Sequence, residues 1–277
     1  MTKPMAPLSG NSTLIGLLAD PVDHVRAPEF LDPLFAAHGT SARIVPMHVQ
    51  AGDLAAALRG LRLVRNIAGV ILTMPHKQAA VRLCDRLGRE GVASAAVNAV
   101  RFDTDGTMTG DMFDGVGLVR AMAAQNVAVG GRRVLMLGAG GVARAIAVRI
   151  LAEGVAFIAF ADREAGQAAD LAAALRRVAP APPIETRAWP ADPAGFDIVV
   201  NATPLGLHAD DPPPLDPRRL QPEMDIVEVN APIEWTAFRD GARRIGCRTV
   251  GGRAMADQQV PLYVEFFQLL QSGTTAK

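Results

Sequence analysis

The chain has 277 residues with 28 basic and 28 acidic side chains, so it carries no formal net charge; 49% of residues are hydrophobic and 20% charged. This composition fits one large or two moderate globular domains and argues against disorder. Balanced charge without a basic block gives no reason to expect nucleic-acid binding.

In chain order, Ser12–Leu18 reads as a strand and Pro28–His38 as a helix with proline in its first turn. Arg43–Val49 is a second strand, and Asp53 caps a helix to about Arg65. Ile67–Leu72 is a third strand, followed by a helix over Pro75–Leu87. Val97–Phe102 is another strand, and Asp103–Gly106 is a turn. A helix runs from Asp114 to about Gln125, and the strand Arg133–Leu137 follows Gly130-Gly131. A helix from Val142, the strand Val155–Phe160 and a helix over Glu164–Val178 come next. Ala179–Pro183 is a Pro-Ala linker. Asp197–Asn201 and Asp225–Val229 are buried strands separated by the proline-rich loop Asp211–Pro214. The chain closes with a helix at Glu234–Ile245, a strand at Cys247–Val250 and a helix from about Ala254 to Leu270, whose aromatic stretch Leu262–Phe267 faces a core. Strands alternating with helices predict α/β architecture, most simply as two domains.

The most physical motif is RRVLMLGAGGVARAIAV. A strand ends at Leu137, and Gly138, Gly140 and Ala143 fill the G-x-G-x-x-G/A positions of a dinucleotide-binding turn. The loop Gly138-Ala139-Gly140-Gly141-Val142 is expected to cradle a pyrophosphate at the N-terminus of the next helix. Asp162 lies 24 residues after Gly138. A carboxylate near that offset accepts hydrogen bonds from a ribose and repels a 2′-phosphate. The adjacent Arg163 suits such a phosphate. The expectation is NAD in preference to NADP, with helix capping as the purely structural role for Asp162.

Only three of the 28 cations are lysines, Lys3, Lys77 and Lys277. Arginine stays protonated, whereas a lysine in a suitable environment can exchange a proton. Lys77 stands in GVILTMPHKQ. Farther on come AAVNAV, GDMFDG, NATPLG and GGRAMADQQ. In this order and spacing, the segments resemble the shikimate/quinate dehydrogenase family over nearly the whole chain, from Ile15 to about Phe267.

The resemblance implies an N-terminal α/β substrate domain over residues 1–113, completed by 249–277. It further implies a Rossmann NAD(P)-binding domain over 114–248 and an active site in the cleft between the two. Lys77 matches the family's catalytic lysine and Asp114 its catalytic aspartate. Thr73, Asn98 and Gln259 match residues that hold ring hydroxyls. Thr203, Pro204 and Leu205 match the loop beside the cofactor, and Val229 and Gly252 match residues flanking the nicotinamide. The expected reaction passes hydride between NAD(P) and a ring hydroxyl or ketone of shikimate, quinate or a related cyclic hydroxy acid. The proton given up by such a hydroxyl needs an acceptor within hydrogen-bond reach. A lysine whose charge is set by a neighbouring aspartate meets that need.

The departures fall mainly on the substrate side. Where the family has two carboxylate-binding serines, this chain has Val25 and Ala27. Arg26 stands between them and offers a bidentate charged contact. Ile71, Met112 and Phe113 replace polar residues, and the family's usual tyrosine falls at Asn230 or Ala231. This pattern suggests a divergent paralogue with shifted substrate preference. The reading of another class is a dinucleotide-binding sensor that has lost turnover, and a methylenetetrahydrofolate-dehydrogenase-like enzyme fits the motifs worse.

Cys84 and Cys247 form no CxxC pattern and read as core thiols, and the five histidines show no metal-ligand spacing, so no metal is expected. His76 reads as an exposed helix residue beside Lys77. No apolar run spans a membrane and the N-terminus is a poor signal peptide. The expectation is a cytoplasmic monomer or homodimer.

Overall fold

The structure, a computed structural model, describes residues 7–23, 25, 27–177, 182–230 and 234–270. His24, Arg26, Ala231 and most of the expected Pro-Ala linker lie outside the described residues. The chain divides into two compact units, residues 1–113 with 259–277, and residues 114–258.

The first unit contains β1 (Leu14–Ala19), α1 (Ala27–Ala37), β2 (Arg43–His48), α2 (Leu54–Leu61), β3 (Ile67–Leu72), β4 (Arg86–Leu87), α3 (Arg89–Ser94), β5 (Ala99–Phe102) and β6 (Met108–Asp111). Its sheet has the order β2-β1-β3-β5-β6-β4. β1 pairs parallel with β2 and β3, and β5 runs antiparallel between β3 and β6. β1 (LIGLLA) and β3 (IAGVIL) are nearly continuous apolar runs, as strands covered on both faces require. Leu18, Val70, Leu72 and Val100 of this sheet pack with Leu54 and Leu58 of α2. A β-carbon at Gly69 would lie 2.2 Å from the Val100 carbonyl and 2.7 Å from the Phe267 ring, so glycine there admits that ring against β3.

The helix expected over Pro75–Leu87 does not form. A 3-10 turn spans Ala79–Leu83 and β4 follows. The reason is a competing hydrogen bond: the Lys77 carbonyl accepts the Val97 N–H at 2.9 Å, where an α-helix would use it four residues ahead. β4 and β6 carry too few residues for a periodic signal. β6 is held instead by Asp103, whose carboxylate accepts from Arg101 Nε and Thr109 Oγ1, both at 2.6 Å.

The second unit contains α4 (Asp114–Ala124), β7 (Arg133–Leu137), α5 (Gly141–Ala152), β8 (Phe157–Ala161), α6 (Ala165–Arg176), β9 (Ile184–Thr186), β10 (Ile198–Asn201), β11 (Asp225–Glu228), α7 (Ala237–Ile245) and β12 (Arg248–Val250). The final helix, α8 (Gly252–Phe266), starts here and continues into the first unit. The sheet order is β9-β8-β7-β10-β11-β12, with every neighbouring pair parallel. This is the doubly wound order, in which the winding reverses between β7 and β10. Val134, Met136, Ile158, Phe160 and Val200 pack with Leu118, Met122, Ile146, Ile150 and Leu171 on the helices. α7 begins at Ala237, later than the expected Glu234, because the Thr236 side chain caps it by accepting the Arg239 N–H at 3.2 Å. Among the described residues no helix is long and apolar enough to cross a membrane.

Candidate active site

In the first unit, backbone hydrogen bonds bring the lysine motif beside Asn98. Thr73 N–H donates to the Leu18 carbonyl at 3.1 Å, which seats the end of β3 against β1. Leu72 N–H donates to the Asn98 carbonyl at 2.8 Å, and Val97 N–H to that of Lys77 at 2.9 Å. The segments carrying Thr73, Lys77 and Asn98 are thus laced together although 21 residues separate Lys77 from Asn98 in sequence. Lys77 is half-buried, Asn98 is 1% exposed and Gln259, on α8, is 8% exposed.

The Asn98 side chain is held at both ends. Its Oδ1 accepts the Phe113 N–H at 2.9 Å, and its Nδ2 donates to the Tyr263 hydroxyl at 3.1 Å. The Tyr263 ring meets Phe113 edge-on, with centroids 5.5 Å apart. Sequence reading favoured a core role for the Leu262–Phe267 stretch, with a membrane or partner surface as the lesser alternative, and gave Tyr263 no polar role; its hydroxyl bond joins segments 165 residues apart and leaves no local pattern.

His76 is not an exposed helix residue. It is 1% exposed, because the turn that replaces the expected helix directs it inward. Burial pushes its imidazole below the usual histidine value, against an opposing attraction from Asp20. Val25 is half-buried, with its N–H donating to the Val22 carbonyl at 2.9 Å, and Ala27 opens α1. Both cysteines are free, and burial pushes the Cys84 thiol up to about 11, which keeps it protonated and unreactive.

In the second unit, the glycine loop leaves β7 at the reversal of the sheet. Gly138 has φ +95°, and a β-carbon there would lie 2.8 Å from the Ala202 carbonyl oxygen and 3.0 Å from the Thr203 nitrogen. The glycine loop and NATPLG therefore touch backbone to backbone. Gly140 caps α5. β-Carbons at Gly140 and Gly141 would meet nothing within 4 Å. Open space at the two glycines that lead into a helix, whose first N–H groups have no intrahelical acceptor, fits a dinucleotide pyrophosphate. Ala143 is fully buried against the sheet, and Ala139 and Val142 pack on the same core.

Asp162 follows β8 and clasps this loop. Its Oδ2 accepts the Ala139 N–H at 2.8 Å and its Oδ1 the Glu164 N–H at 2.9 Å. The residue that caps α6 is Glu164, so Asp162 forms a turn just ahead of the helix. Arg163 is exposed. Asp114 opens α4 and is 5% exposed. Glycine at 115 lets α4 lie against α5, since a β-carbon there would come within 2.5 Å of the Ala145 carbonyl.

A polar network shapes NATPLG. Asn201, fully buried at the end of β10, donates through Nδ2 to the Leu205 carbonyl and to Glu228, both at 2.9 Å. Its Oδ1 accepts from the N–H and hydroxyl of Thr203. Asn230 donates to the Thr203 and Leu205 carbonyls at 3.0 and 2.8 Å. Glu228, 1% exposed, also accepts from Thr236 Oγ1, and burial pushes its carboxyl above the usual range against these hydrogen bonds. Asp211 accepts the Gly206 and His208 N–H groups and closes the loop beyond. Pro204 lies within this ring of bonds. Val229 and Gly252 meet directly, since a β-carbon on Gly252 would lie 2.3 Å from the Val229 carbonyl oxygen. Sequence reading missed Asn201, Glu228 and Asn230 as loop supports; the single signal for them is their polarity at the ends of buried strands.

A six-stranded doubly wound sheet with a glycine turn at its reversal, together with a TMPHK lysine segment on a separate α/β unit, defines a dinucleotide-dependent dehydrogenase. Residues 17–100 match the shikimate dehydrogenase substrate binding domain. The chain is 36% identical to shikimate dehydrogenase (NADP(+)) of Rubrobacter xylanophilus over 250 residues, 90% of this chain and 88% of that relative. Among solved structures, the ligand-free form of 5-ketofructose reductase from a Gluconobacter species is 30% identical, with TM-score 0.83 over 94% of both chains. Quinate dehydrogenase from Corynebacterium glutamicum in complex with NAD is 28% identical, with TM-score 0.82 over 95% of this chain and 94% of that one. The chain belongs to the shikimate/quinate dehydrogenase family, and it is an NAD(P)-dependent oxidoreductase of that type.

Proposed function

We propose that this chain interconverts a ring hydroxyl and a ketone on a polyhydroxylated substrate, with Lys77 as the acid–base group and Asp114 as the second catalytic residue. The bound nicotinamide supplies the acceptor for hydride. Lys77 Nζ takes the hydroxyl proton during oxidation and returns it during reduction. A guanidinium at 77 lacks the free lone pair for this step. Thr73, Asn98 and Gln259 orient the ring hydroxyls. Gly138 to Val142 hold the pyrophosphate, and Thr203, Pro204, Leu205, Val229 and Gly252 border the nicotinamide. The observation that carries this reading is the pair of backbone hydrogen bonds, Val97 N–H to the Lys77 carbonyl and Leu72 N–H to the Asn98 carbonyl, that bring the lysine segment beside Asn98.

The first reading of the substrate is shikimate, quinate or a related cyclic hydroxy acid whose carboxylate meets Arg26. A second reading is an uncharged polyhydroxy ketone. Val25 and Ala27, without hydroxyls, favour it, as does the likeness to a ketofructose reductase. Steady-state assays with shikimate, quinate and 5-ketofructose separate the two. On the first reading Arg26→Ala raises KM for the acids; on the second the neutral ketone turns over best and Arg26→Ala leaves its KM unchanged. We propose NAD as the preferred cofactor, because a carboxylate shortly after the second Rossmann strand repels a 2′-phosphate, and Asp162, held by the Ala139 and Glu164 N–H groups, stands at that offset. The relatives named for NADP(+) make the comparison of both cofactors the deciding assay. We further propose a cytoplasmic enzyme, monomeric or homodimeric, which sedimentation would resolve. The sensor reading draws no support from the relatives, whose names are those of enzymes.

A further inference from the structure

We infer that Tyr263 is a positioning residue for substrate recognition: its hydroxyl sets the orientation of the Asn98 amide. Tyr263 is the chain's single tyrosine. It lies four residues after Gln259 on α8, so both side chains share one face of the helix. Both are buried, at 3% and 8% exposure.

The Asn98 backbone is fixed by two strand hydrogen bonds, to Leu72 and to the Asp111 carbonyl. The two side-chain torsions remain, and they are set by what the amide meets. Phe113 N–H can only donate, so the atom facing it is the amide oxygen. The amide nitrogen therefore faces Tyr263, whose oxygen accepts from it at 3.1 Å. The tyrosine ring is packed on two sides. It stands edge-on to Phe113 at 5.5 Å and 89°, and tilted against Phe267 at 6.1 Å. A buried, packed ring thus holds a hydroxyl against the amide of a residue whose neighbour Val97 is bonded to the Lys77 carbonyl.

The arrangement also accounts for Phe113, which stands where the resembling family has a polar residue. Its backbone N–H takes the amide oxygen and its ring packs the tyrosine that takes the amide nitrogen. Asn98, Phe113 and Tyr263 form one unit of recognition, and α8 contributes through Tyr263 as well as Gln259.

This inference rests on the reading that Asn98 holds a ring hydroxyl. The test is a cycle of Tyr263→Phe, Asn98→Ala and the double variant. The substrate is whichever of shikimate, quinate and 5-ketofructose the wild type turns over fastest. Tyr263→Phe keeps the ring and its packing, so a purely structural tyrosine predicts no kinetic change. The expected result is a loss of about five- to tenfold in kcat/KM, one hydrogen bond's worth, with the cofactor KM unchanged. In the Asn98→Ala background the same change costs nothing further. Wild-type kinetics for Tyr263→Phe, or losses that multiply independently in the double variant, would overturn the inference while Asn98 keeps its role. Wild-type kinetics for Asn98→Ala would remove the reading of Asn98 and the inference with it. As an independent readout, substrate binding should perturb the near-ultraviolet absorption of the single tyrosine, and this difference band should vanish in Tyr263→Phe.

Discussion

Gly138→Ala tests the idea that the cofactor site depends on backbone contact between the glycine loop and NATPLG. Alanine at φ +95° enters a region that L-residues avoid, at a cost of about 1–2 kcal/mol. Its β-carbon would lie 2.8 Å from the Ala202 oxygen and 3.0 Å from the Thr203 nitrogen. Both are backbone atoms anchored by β10 and by Asn201, so no flexible side chain can yield. Overpacking of this kind adds about 1–3 kcal/mol. The total of about 2–5 kcal/mol corresponds to a fall in Tm of roughly 6–15 °C for a unit of this size. Relief of the clash moves Thr203, so dinucleotide affinity should fall at least about tenfold, equivalent to 1.4 kcal/mol. Thermal unfolding and a dinucleotide fluorescence titration measure the two effects. A Tm within about 2 °C of wild type, with unchanged affinity, would refute the close-contact argument.

Other outcomes follow from the same geometry. Asp162→Ser should move cofactor preference toward NADP, read as the ratio of kcat/KM for the two cofactors; an unchanged ratio would remove Asp162 from specificity. Asn201→Ala deletes the amide shared by Thr203, Leu205 and Glu228 and leaves a buried carboxyl short of a donor, which should cost about 1–3 kcal/mol in urea unfolding. Burial pushes the Asp32 carboxyl above its usual value, although the Ile44 N–H donates to it. The folded state therefore binds this proton more tightly than the unfolded chain. The associated stability is full below the unfolded value of about 3.9 and is lost as pH rises through the folded one. Asp32→Asn removes that titration, so the variant should gain on the wild type in urea unfolding as pH rises above about 4; a constant difference across that range would contradict the sign.

What the sequence made legible was whatever carried a period or a motif. The apolar runs of β1, β3, β7 and β10 sit close to their expected positions because buried parallel strands have no polar face to confuse them. The glycine turn at Gly138 was readable because a tight backbone approach admits few residue types. Illegible features were those decided by partners distant in sequence. The 75–87 segment has helical composition, yet one hydrogen bond from Val97 to the Lys77 carbonyl outbids it. His76 turns inward on a local turn, its N–H donating to the Thr73 carbonyl, which helical composition does not announce. Tyr263 looked like a core aromatic because nothing near it in sequence announces Asn98. The support of NATPLG by Asn201, Glu228 and Asn230 depends on register between β10 and β11, which composition does not encode.

The central claim is that Lys77 carries the proton. Lys77→Ala and Lys77→Arg should each lose most of kcat, with dinucleotide affinity unchanged in a direct titration. Arginine keeps the positive charge but cannot release its proton, so it should rescue nothing. Substantial turnover by either variant, and by the arginine form above all, would contradict the account.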